Sequence, residues 1–92
     1  MEELIKEISD KLESIGSTSG NAYMEKMCNI ISIKLEDVEK HRYSMIETVQ
    51  SIVDTMVNNE ISNMKGIMEQ PEEVYTMIDE LEALIKQIPE KY

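Results

Sequence analysis

Apolar residues recur along this chain at the three- and four-residue steps of helices, with no sustained alternation of the kind a strand needs. In the first segment they are Leu4, Ile5, Ile8, Leu12 and Ile15. Glu2 and Glu3 precede this stripe, where acids suit the positive end of a helix dipole. Gly16 follows it, where a left-handed C-terminal cap is easiest for glycine. A helix over about residues 2–15 is expected. Gly16-Ser17-Thr18-Ser19-Gly20-Asn21 then reads as a connector. It lacks the Gly-Lys-Ser/Thr and the preceding strand of a phosphate-binding loop.

From Ala22 to about Glu69 there is no proline, and Gly66 is the lone glycine. Met24, Cys28, Ile31, Leu35, Val38, Arg42, Met45, Val49, Ile52 and Met56 are separated alternately by four and three residues. That is a heptad seam, broken in polarity only by Arg42. Beyond Val53 the stripe moves to Val57, Ile61, Met64 and Met68 through two successive four-residue steps, the mark of a stutter that changes local winding. Asn58-Asn59 and Gly66 are poor helix residues. The apolar spacing nevertheless continues through both, so one long helix over 21–69 is expected.

Pro71-Glu72-Glu73 reads as a helix start, with proline at the first helical position and acids in the first turn. Val74, Ile78, Leu81, Ile85 and Ile88 repeat at four, three, four, three, widened by Met77 and Leu84, and Pro89 is read as the stop. The expected fold is one all-α domain over 1–92. A short helix (2–15) and a C-terminal helix (71–88) fold back antiparallel on the two ends of a long central helix, in a helical bundle of coiled-coil type.

The lengths of these helices imply a partner. A helix over 21–69 would span about 73 Å, whereas its flanking helices cover about 21 and 26 Å. Roughly 18 residues in the middle would lack cover from their own chain. A second copy, related by a two-fold axis, is expected to cover Leu35, Val38, Arg42, Met45, Val49, Ile52 and Met56, making an obligate homo-oligomer, a dimer by preference. Arg42 at a seam position would fix register, as lone polar residues there often do, or snorkel out of a looser interface.

Charge adds a second surface. The net charge is −10. Residues 1–20 carry five acids against two bases, 21–68 seven against five, and 69–92 seven against two. The ends are acidic and the middle nearly balanced. Direct binding of nucleic acid or of an anionic membrane needs clustered Lys and Arg, so neither is expected. Glu72, Glu73, Asp79, Glu80 and Glu82 surround the last apolar stripe and form a candidate acidic partner face. With 41% apolar residues the chain is not of disordered composition.

Candidate chemistry is sparse. His41 is the single histidine and Cys28 the single cysteine. They are nearly four helical turns apart, too far to share a metal from one helix. His41 is read as a solvated residue within reach of Asp37, and Cys28 as a buried structural thiol. No Glu-x-x-His motif and no Ca²⁺ loop occurs. Pairs such as Glu36 and Lys40 are read as ordinary surface ion pairs. No catalytic, metal or cofactor-binding residue is therefore assigned, and no enzymatic activity is expected. Met-rich faces adapt to varied partners, so another protein with a basic or Met-accepting surface is an admissible partner. The N-terminal Met-Glu-Glu-Leu lacks the bases of a signal peptide and no apolar run reaches membrane length, so the expected location is cytoplasmic. Two functions fit: a self-associating helical interaction module, or a small acidic inhibitor of phage or mobile-element type that occupies a basic surface on a nucleic-acid-handling protein. Salt separates them, since charge mimicry weakens steeply as salt rises and apolar association does not.

Overall fold

A computed structural model describes residues 2–40, 46–68 and 70–91. Its first helix, α1 (Glu2–Ser19), outruns the expected stop at Gly16 by a full turn. Gly16 lies inside the helix. Ser17 and Ser19 donate their hydroxyls back to the Glu13 and Gly16 carbonyl oxygens at 2.9 and 3.4 Å, which ties down the last turn. The left-handed cap is Gly20, with φ of +59°. Asn21 follows as N-cap of α2 (Ala22–Lys40), its Oδ1 accepting the Met24 backbone N–H at 3.0 Å. The connector is therefore two residues rather than six, and it turns the chain back on itself.

The expected long helix over 21–69 does not occur. Helix α2 ends at Lys40, and α3 (Ile46–Thr55) begins a segment that returns along it. Asn63 Nδ2 lies 4.0 Å from Met27 Sδ, and Lys34 meets Glu60, so rising residue numbers on one helix face falling numbers on the other. The molecule is 40 Å in its longest dimension, far short of a 73 Å rod. Residues 41–45, which hold Arg42 and Met45 of the expected interface, lie outside the described residues.

After Thr55 the backbone widens into a π-helical segment, π1 (Met56–Ile61), and then closes into α4 (Ser62–Lys65). Thr55, Ile61 and Ser62 all keep right-handed helical angles, so α3, π1 and α4 run on as one third helix. The stutter read from Val53, Val57 and Ile61 coincides with this wide turn. A fourth helix consists of α5 (Glu72–Lys86) and, after a turn at Gln87, α6 (Ile88–Lys91). Pro71 is its N-cap rather than its first helical residue, with φ −55° and ψ 144°. Pro89 sits in the first turn of α6, where its missing N–H costs nothing, so it does not stop the helix.

All described elements are helical, and four helices replace the expected three. Chain direction alternates from one helix to the next, and the first helix closes against the last. Each contributes one stripe to a shared core. Ile8 and Ile15, Met24 and Ile31, Met56 and Ile61, and Ile78 and Leu81 are fully enclosed. The radius of gyration, 12.7 Å, is close to the roughly 12 Å of a self-contained domain of this length.

This packing removes the reason for a second copy. Leu35, Val38, Val49 and Met56 of the expected oligomer interface are 3, 1, 0 and 0% exposed within one chain, and Ile52 is half-buried against the same core. What covers this seam is the chain's own third helix and its neighbours. Val49 is a test. In an intermolecular seam, melting of the parent protein would depend on its concentration, and Val49→Glu would give monomers or unfolded chain. In an intrachain core it buries a carboxylate without a partner, a penalty of several kcal/mol against a total stability of about 5–15. We expect Val49→Glu to lose its cooperative thermal transition at every protein concentration, measured by circular dichroism.

Candidate functional site

Helices α1 and α5 lie side by side, which brings the two acidic ends of the sequence together. Helix α1 carries five acids and two lysines, net −3; the fourth helix carries six acids and two lysines, net −4. These two neighbours thus hold −7 of the chain's −10. Of the expected acidic face, Glu72, Glu73, Asp79 and Glu80 are exposed and Glu82 is half-buried.

Part of that charge is already answered by lysines of the same chain. Lys11 of α1 reaches Glu80 across the helix pair at 2.5 Å. Lys65, at the end of the third helix, meets Glu82 at 2.8 Å and Asp79 at 3.7 Å. Its hydrogen bond to Glu82 holds the ammonium above the ordinary lysine range. Glu72 and Glu73, in the first turn of α5, have no ion-pair partner among the described residues and face the positive end of the helix dipole.

Where α1 and α5 meet, an open groove of about 510 Å³ runs between them. Glu7, Asp10 and Ser14 line it from α1, and Glu80, Ala83 and Leu84 from α5. Leu84 is half-buried against the core, and Ala83 is exposed. The groove therefore has an apolar side and a carboxylate rim. A second groove, between α1 and α2, runs past Cys28. No three His, Cys, Asp or Glu side chains among the described residues are grouped to hold a metal ion. No helix among them is long and apolar enough to cross a membrane.

One charged pair was not singled out from the sequence. Glu60, in π1, is the one charged residue buried in the described structure, and Lys34 of α2 lies against its Oε1. Its position was a usable signal: Glu60 follows Met56 by four and precedes Met64 by four, on an otherwise apolar row. Removing one partner of such a pair strands the other charge, whereas replacing both with apolar groups does not. Lys34→Ala is expected to cost about 3 kcal/mol, at the low end for buried pairs because Lys34 is partly exposed, and to lower Tm by about 10 °C or more. The double variant Lys34→Met, Glu60→Leu should melt at or above the parent temperature.

His41 lies outside the described residues. Cys28 is buried, and burial together with the nearby Glu25 carboxylate pushes its thiol from 9.0 up to about 11. It is therefore protonated at neutral pH, the opposite of a primed nucleophile. A thiol whose pKa is raised by folding contributes stability below its unfolded value and loses it as pH climbs to the folded value. Denaturation midpoints should accordingly fall between pH 9 and about 11, and Cys28→Val should remove that component of the decline.

Compared with known proteins, the chain matches no family model, no curated relative and no solved structure.

Proposed function

We propose that this protein is a non-enzymatic interaction module that binds a basic protein surface through the paired outer faces of α1 and α5, in the manner of a small acidic inhibitor. The observation that carries this reading is the meeting of the first and last helices, which concentrates −7 of the −10 net charge on two adjacent helices. Clustered like charge raises the local potential, speeds association with an opposite charge and rejects wrong partners. A surface of nucleic-acid-handling type, rich in Lys and Arg, is the complement this face fits.

The one thiol is buried and protonated. No group of three His, Cys, Asp or Glu side chains that could hold a metal ion is assembled among the described residues. Self-association through the Leu35–Met56 seam is not part of the reading, since those side chains fill the core. Location remains the expected cytoplasm, where a free buried cysteine is at home.

The test begins with affinity capture of the partner from the native cell, followed by binding with purified components. Reversing Glu73, Asp79 and Glu80 to Lys should weaken binding by at least about tenfold while helicity is unchanged. Binding should also fall steeply with ionic strength. Full binding by the reversed variant would remove this face from consideration.

A further inference from the structure

The groove between α1 and α5 has a chemistry more specific than acidity. One side is hydrocarbon, from Ala83 and Leu84; the rim is carboxylate, Glu7 and Asp10 from α1 and Glu80 from α5. Lys11 already sends an ammonium across it to Glu80, so a cationic head entering from the α1 side reaches that carboxylate. Lys11 is 27% exposed and Glu80 52%, so this contact is open to competition from solvent. Glu7 and Asp10 have no ion-pair partner among the described residues.

The rim acids do not converge as metal ligands do. Carboxylates that are not gathered round one point suit a cation with several donor edges better than a point charge. Arginine is such a cation: its planar fork presents separate edges to separate carboxylates, and its three methylenes bury well on an apolar wall. A lysine has the stem but meets carboxylates as a single strongly hydrated charge. Anionic ligands would be repelled. Glu7 and Ser14 lie seven residues apart on α1, so the groove is about 10 Å long. That length accommodates one long side chain laid along the groove.

We propose that this groove is the anchor socket for a single arginine of the basic partner, its stem against Ala83 and Leu84 and its guanidinium between the α1 carboxylates and Glu80, displacing Lys11. The inference rests on the reading of the acidic face and names its central contact, of the kind in which buried arginines dominate interfaces.

A helical Ala-rich peptide bearing one central arginine, titrated into the ¹⁵N-labelled full chain, provides the test. Amide shifts should centre on Asp10, Lys11, Ser14, Ala83 and Leu84. The same peptide with lysine at that position should bind several-fold more weakly, and with neutral citrulline at least about tenfold more weakly. Ala83→Arg, which fills the groove at an exposed position, should abolish the shifts. Lys11→Met should tighten binding several-fold by removing the internal competitor. Lys6→Met removes the same charge outside the groove and should change it little. Equal effects of Lys11→Met and Lys6→Met, or shifts spread evenly over Glu36, Glu47 and Asp54, would overturn the socket. In that case reversal of Glu73, Asp79 and Glu80 still decides the broader reading: lost partner binding retains the acidic face without a socket, and unchanged binding rejects both.

Discussion

The return of the third helix along α2 is the contact on which the rest of the structure depends. Between them these two helices carry Met24, Ile31, Leu35 and Val38 on one side and Val49, Val53, Met56, Ile61 and Met64 on the other, all buried. A chain this short buries only a modest fraction of its unfolded surface, so it cannot leave such a stripe in water. Folding the stripe on itself satisfies it without a partner. The pairing also fixes where the flanking helices go. Each is joined to the hairpin by a short connector, and each can bury its own stripe only by lying against it. The first and fourth helices must then also meet each other, and the acidic face follows from that closure.

The flanking helices were legible in the sequence because their evidence is local. Val74, Ile78, Leu81, Ile85 and Ile88 are all fully enclosed, as their spacing required, and so are Ile8 and Ile15 of α1. The central segment was not, for a physical reason. Periodicity states which face of a helix is buried but not what covers it. The same four-three seam serves a rod paired with a second copy and a hairpin paired with itself. From Asn21 to Lys65 the sequence has neither Gly nor Pro, so the opposed directions of α2 and the third helix left no mark of the kind sequence reading depends on. Gly16 misled in the opposite way. It occupies an expected cap site, but the strained backbone angle falls at Gly20, and only the folded chain distinguishes the two.

The candidate site was legible in its parts and not in its assembly. Both acidic ends are plain in the sequence, and so is each residue of the α5 face. Their union depends on which helices become neighbours, a property of the whole topology. The intrachain lysines matter as much as the acids. Lys65 answers Glu82 and Asp79 beside the core, which leaves the first turn of α5 and the α1 rim as the less compensated charge. The free charge of this face is displaced toward α1 and the start of α5.

The π-helical turn explains how the third helix keeps its hydrophobic side inward while carrying a glutamate. Continued as an ordinary α-helix from Val49, Val53 and Met56, its next inward positions would be Glu60 and Asn63, two polar groups against the core. The i→i+5 winding of Met56–Ile61 takes up one extra residue. Ile61 and Met64 then turn inward and Asn63 turns out. Glu60 is the extra residue of that turn. It stays buried, and Lys34 of the facing helix supplies the opposite charge. The ion pair is thus a consequence of the register, and the register is set by where Ile61 and Met64 must go.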